Sequence, residues 1–120
     1  MAKVLGIGGI FFKSKNPLEL AKWYKDNLGL DTQDWGGVIF ANNPECSYSV
    51  WAPHDAATDY FQPSNNNYMI NFVVDDLVQM INELNSKGIE TTPIMDTEFG
   101  LFTHIIDPEN NKIELWQAKK

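Results

Sequence analysis

The second half of this chain repeats the first at an offset of about 60 residues, and a repeat of that length restricts the fold to duplicated supersecondary units. Moving 60 positions along carries Asn16 onto Asp76, Phe12 onto Phe72, Leu20 onto Met80, Ala21 onto Ile81 and Tyr24 onto Leu84. The match slips by one at the helix stop, where Gly29 falls on Ile89 rather than Gly88. Cap, apolar helix face and stop recur together, which favours duplication over chance similarity of two strand–helix–strand segments.

Within the first half, residues 4–13 read as a strand of β-branched, aromatic and glycine residues. Asn16-Pro17-Leu18-Glu19 then opens a helix. Asn16 can cap it, Pro17 suits its first turn, and Glu19 can reach back to the cap. Leu20, Trp23, Tyr24 and Leu28 follow at helical spacing as core, and Gly29 provides the left-handed stop. Shorter strands are expected near 30–34, 37–42 and 47–52, with Asn43-Pro44-Glu45 as a turn. Residues 53–67 are loop-like, joining the halves and forming a potential flap over a site.

The pattern then restarts. Residues 68–74 form a strand, Asp75-Asp76 caps a helix carrying Leu77, Met80, Ile81 and Leu84, and Lys87-Gly88 ends it. Strands are expected near 89–94, 101–106 and 112–117, with Asp107-Pro108-Glu109-Asn110-Asn111 as a strong turn between the last two. The whole is read as one domain over 1–120, with modules at about 1–56 and 67–118.

Composition narrows the function classes. With 43% hydrophobic and 21% charged residues the chain is globular in type, and no apolar run reaches the roughly 20 residues of a membrane span. The opening Met1-Ala2-Lys3-Val4-Leu5-Gly6 is too short and interrupted for a secretion signal. A lone cysteine, Cys46, cannot make an internal disulfide and reads as a small strand residue, so a cytoplasmic setting is expected. The formal net charge of −7 argues against nucleic acid and anionic membranes as partners and leaves cationic ligands open. Dinucleotide-loop, P-loop and nucleophile-elbow signatures are absent from the sequence, and Cys46 has no nucleophile context.

The stretches Gly6-Ile7-Gly8-Gly9-Ile10-Phe11-Phe12, Trp23-Tyr24-Lys25-Asp26-Asn27-Leu28-Gly29-Leu30 and Ile70-Asn71-Phe72-Val73-Val74-Asp75-Asp76-Leu77 are similar to those of one known family. Most specific is Ile106-Asp107-Pro108-Glu109-Asn110-Asn111-Lys112-Ile113-Glu114-Leu115. In their order and spacing, covering nearly the whole chain, they resemble the glyoxalase/bleomycin-resistance/extradiol-dioxygenase superfamily, the vicinal oxygen chelate proteins. The resemblance implies an α+β fold of two βαβββ modules. Their curved mixed sheets form a cup that holds a small molecule, in a protein that is often a homodimer.

Metal-dependent members of that superfamily place His, Glu or Gln on the first and last strand of each module, around an ion that acts as a Lewis acid. Carried onto this chain, those positions are Gly9, Ser49, Met69 and Glu114. Glu114 alone suits a hard divalent ion, so no metal and no other cofactor is expected, with a metal-dependent glyoxalase or dioxygenase kept as an alternative. His54 and His104 would contribute only in unusual geometry.

Strand alternation then assigns faces. If Glu114 faces the cup, so do Lys112 and Trp116, while Ile113 and Leu115 pack under the helices. Met69, Asn71 and Val73 face in, and Ile70, Phe72 and Val74 face the core. Gly9, Phe11 and Lys13 face in from the first strand, and Ser47, Ser49 and Trp51 from the fourth. Candidate ligand-binding residues are accordingly Phe11, Ser49, Trp51, Met69, Asn71 and Trp116. Trp51 and Trp116 make either an aromatic wall or ordinary packing, and Gly9 either leaves room for ligand or marks a bulge. Trp35 belongs at the cup mouth or a dimer contact, and His54 in an exposed loop.

If Ile106 pairs with Lys112 across the turn, His104 lies opposite Glu114. A carboxylate there can orient the imidazole, making His104 and Glu114 the candidate catalytic acid/base pair, or a polar pair that only satisfies itself. Two functions lead, with a scaffold acting mainly through dimer contacts as a third. One is metal-free binding of a small organic molecule, as in bleomycin-binding relatives. The other is a lyase or isomerase using Glu114 and His104.

Overall fold

The computed structural model describes residues 14–34, 36–38 and 57–119. The expected strands at 4–13 and 47–52 lie outside these residues, as do Gly9, Phe11, Trp35, Cys46, Ser49, Trp51 and His54.

Helix α1 spans Pro17–Leu28, with Pro17 at its first position and Leu20, Tyr24 and Leu28 buried along one face. It ends as expected at Gly29 (φ 69°), whose N–H donates to the Lys25 carbonyl. Its start departs from expectation. Asn16 makes no side-chain cap bond. Instead the carboxylate of Glu109, far along the chain, accepts from Ser14 Oγ at 2.6 Å and from the Lys15 N–H at 3.0 Å. An acidic group at this end also complements the helix dipole.

The remaining elements form a complete βαβββ unit: β1 (Ile70–Val73), α2 (Leu77–Ser86), β2 (Met95–Thr97), β3 (Gly100–Ile106) and β4 (Lys112–Ala118). Among the described residues the sheet order is β1-β4-β3-β2, with β1 parallel to β4 and the other neighbours antiparallel. Asp76 caps α2 by accepting the Gln79 N–H at 3.0 Å, and Gly88 (φ 79°) follows its last turn.

Two expected strands are corrected. Residues 30–34 form no strand among the described residues; Gln33 N–H donates to Gly37 O and Gly36 N–H to Gln33 O. The Gly36 φ of 94° is the left-handed turn that ends extension there. Residues 89–94 lie along β3 but form no strand. The Thr92 hydroxyl takes the His104 N–H at 2.9 Å, in place of a ladder carbonyl, and Pro93 has no N–H to continue the ladder. The strand resumes at Met95.

The helices cover one face of the sheet. Leu77, Leu84, Ile105, Ile113 and Leu115 are almost completely buried there, with Leu20, Tyr24 and Leu28. Each such side chain contributes about 1.5–3 kcal/mol of burial. The opposite face carries the alternate residues of β1, β3 and β4.

The turn between β3 and β4 locks this arrangement. Asp107 Oδ1 accepts the N–H groups of Glu109 and Asn111, and its Oδ2 accepts Tyr24 OH and Asn111 Nδ2, both at 2.8 Å. Asn111 Oδ1 in turn accepts Asn66 Nδ2 at 2.5 Å and Tyr68 OH at 3.1 Å. One buried carboxylate thus ties the hairpin to α1, and its amide neighbour ties it to the chain entering β1. Burial, then the charge and hydrogen bond of Asp107, push the Tyr24 phenol far above its ordinary value.

Candidate functional site

The β3–β4 register is Ile106 to Lys112 and His104 to Glu114, the pairing expected from the turn. It brings the imidazole Nε2 to 2.8 Å from Glu114 Oε2. The parallel pairing of β1 with β4 sets Asn71 beside Glu114 on the other side, and Asn71 Nδ2 donates to Oε1 at 2.8 Å. A third donor comes from a residue that strand patterning does not single out. Tyr60, in the segment before β1, donates its hydroxyl to Oε2 at 2.5 Å.

The Glu114 side chain is 12% exposed and the His104 side chain 6%. Burial pushes the Glu114 pKa up, but the hydrogen bonds from His104, Tyr60 and Asn71 outweigh it and hold the carboxyl below its usual range. Burial and the Glu114 carboxylate push the Tyr60 phenol well above its ordinary value. An ionised carboxylate can only accept, so His104 Nε2 carries the proton in this pair. Its Nδ1 has no partner among the described residues.

Aromatic rings border the cluster. Tyr60 stands edge-on to His104, centroids 5.1 Å apart at 86°. Lys112 lies 4.9 Å over the Tyr60 ring and donates to the Tyr60 carbonyl. Trp116 stacks flat on Phe102 at 5.6 Å and 5°, and its indole N–H donates to Phe99 O at 2.9 Å. Trp51, the other aromatic residue assigned to this face, lies outside the described residues. Met69 sits one residue before β1, half-buried, and is not among the groups bonded to Glu114.

Sequence reasoning thus placed Glu114, His104, Asn71 and Trp116 on one face and missed Tyr60 and Phe102. The signal for Phe102 was available, since it is two residues from His104 on the same strand. Tyr60 carries no such signal, because its contact with Glu114 spans 54 positions and begins in a loop.

Both Glu114 oxygens already accept hydrogen bonds, Met69 offers only a thioether, and among the described residues no three His, Cys, Asp or Glu side chains group to hold a metal. No helix among them is long and apolar enough to cross a membrane.

A βαβββ unit with both helices on one face of a four-stranded mixed sheet is an α+β arrangement, and comparison with solved structures shows the fold of the vicinal oxygen chelate proteins. TnmS3, an antibiotic-binding protein from Streptomyces sp. CB03234, is 21% identical over 83% of this chain and 84% of its own, with a TM-score of 0.51. A structure from the mobile metagenome of V. Pseudocholerae is 16% identical over 100% of this chain and 97% of its own, also at 0.51. A glyoxalase family protein from Enterococcus faecalis is 29% identical, but the match covers 50% of this chain and 54% of that one, with a TM-score of 0.40. The match thus spans about half the length of that protein. No protein-family model and no curated protein matches the sequence. The chain has the glyoxalase/bleomycin-resistance/dioxygenase fold that its motifs resemble.

Proposed function

We propose that this chain binds a small organic molecule on the open face of its sheet, without a metal. The observation that carries this reading is the Glu114 carboxylate, which is held ionised by donors from three separate segments beside the Phe102–Trp116 stack. Ligand sites combine such an aromatic surface with a few fixed polar groups. The direction of the Glu114 pKa favours binding over proton abstraction. A general base works best with its pKa near the operating pH, and this carboxyl is displaced the other way. An anionic acceptor in an acidic protein suits a ligand that brings hydrogen-bond donors or positive charge. The antibiotic-binding protein that shares the fold is in keeping with this role.

Two measurements test it. Elemental analysis of the purified protein is expected to find no stoichiometric Mn, Fe, Ni or Zn; one equivalent of any of them contradicts the metal-free reading. A thermal-shift screen of small organic cations and neutral donors is expected to yield ligands that stabilise the native chain and lose at least about tenfold in affinity on Glu114→Gln. Ligands that bind both forms equally would make Glu114 a structural residue. A homodimer in the cytoplasm, implied by the resemblance and the composition, completes the proposal, and light scattering tests the dimer.

The second reading is a lyase or isomerase acting through Glu114 and His104. The oriented imidazole favours it, since Nε2 is held by Glu114 while Nδ1 is left to meet a substrate. Turnover of a screened ligand that disappears in His104→Asn while binding persists would establish it.

A further inference from the structure

Tyr60 reaches the open face from outside the sheet. Its phenol stands edge-on to the His104 imidazole, and its hydroxyl donates to Glu114 at 2.5 Å. The segment that carries it is fastened by side chains. Lys112 bonds the Tyr60 carbonyl, Asn110 Nδ2 bonds the Pro63 carbonyl at 3.2 Å, and Asn66 Nδ2 bonds Asn111 Oδ1. A tethered phenol is thus bound by a carboxylate acceptor, an imidazole ring and an ammonium group, the elements that would recognise a free one.

We propose that this position is a subsite for a hydroxyl-bearing aromatic ligand, and that Tyr60 occupies it until such a ligand takes over the bond to Glu114. The inference rests on the small-molecule reading above and narrows its ligand class. Glu114 accepts and cannot donate, so an aromatic ring without a donor leaves it one bond short, and an anionic ring meets like charge. The tether gives Tyr60 a high effective concentration, so a free phenol competes poorly while Tyr60 is present.

The probe is p-cresol, which is the tyrosine side chain freed at Cβ, with toluene as the ring lacking a hydroxyl. Calorimetric titration into Tyr60→Ala is expected to show p-cresol binding at least about tenfold tighter than toluene, and at least about tenfold tighter than p-cresol binds the native chain. The His104 imidazole resonances should shift with it. Equal binding of the two probes, or no p-cresol binding by folded Tyr60→Ala, overturns the proposal. Tyr60→Phe gives a second route, because it keeps the ring and removes only the competing hydroxyl. It should bind p-cresol several-fold more tightly than the native chain, and equal affinity again overturns the subsite. If p-cresol fails while a screened ligand still binds the native chain through Glu114, the small-molecule reading stands and only the phenol subsite falls.

Discussion

Two carboxylates seven residues apart on one hairpin, Asp107 and Glu114, have opposite surroundings. Asp107 is 4% exposed, and half of its hydrogen bonds come from backbone N–H groups of its own turn. Its remaining donors, Tyr24 and Asn111, fasten the hairpin to α1 and to itself. Among the described residues the Glu114 carboxylate takes no backbone donor. Its partners are side chains from the 57–69 segment, β1 and β3, and they meet only once the sheet has formed. A carboxylate satisfied by its own turn holds the fold, whereas one satisfied by side chains from three separate segments is the one proposed to trade a partner for a ligand.

Substitution should separate the two. Asp107→Ala leaves the Tyr24 hydroxyl, the Asn111 amide and two backbone N–H groups without their acceptor, and is expected to cost about 3 kcal/mol or more in denaturant unfolding. A loss below about 1 kcal/mol would mean that Asp107 is replaceable. Tyr24→Phe removes one of these bonds and should cost about 1 kcal/mol in the same assay.

Glu114→Gln should cost less at neutral pH, under about 1 kcal/mol, but should change the acid limb of the stability curve. The folded pKa of Glu114 lies below its unfolded value of about 4.3. Its contribution is therefore fully present above about pH 4.3 and disappears as pH falls through the lower folded value. Urea midpoints measured from pH 6 downward should show a shallower acid loss in Glu114→Gln than in the native chain. Parallel curves would remove Glu114 from the linkage. The smallest effect is expected at Glu109→Gln, which weakens the charge at the start of α1. Amide exchange in the first turn of α1 should quicken while β3 and β4 are unchanged, and uniform quickening would contradict a local role.

The two clusters differed as well in how far they could be read from sequence. The alternation at 69–74 and 112–117 separates Ile113 and Leu115 from Glu114 and Trp116, because a buried face and an open face impose period two. The tight turn at Asp107-Pro108-Glu109-Asn110-Asn111 sets the register, and with it the meeting of His104 and Glu114. Non-local side-chain bonds leave no such period. Tyr60 on Glu114, Glu109 at the start of α1 and Thr92 on the His104 N–H each replace an interaction that local patterning would assign to backbone or to a neighbour. The strand expected at 89–94 failed for the same reason, with Pro93 interrupting the ladder and Thr92 substituting for it.

The central claim is that ligand binds at Glu114 and leaves the Asp107 network alone. The most direct test is an NMR titration of the native chain with a ligand from the thermal-shift screen, following side-chain resonances of both clusters. The His104 imidazole, the Asn71 amide and the Trp116 indole should shift together and saturably, while the Asn111 amide stays still. Shifts confined to Asn111 and Tyr24, or spread evenly over the chain, would contradict the account.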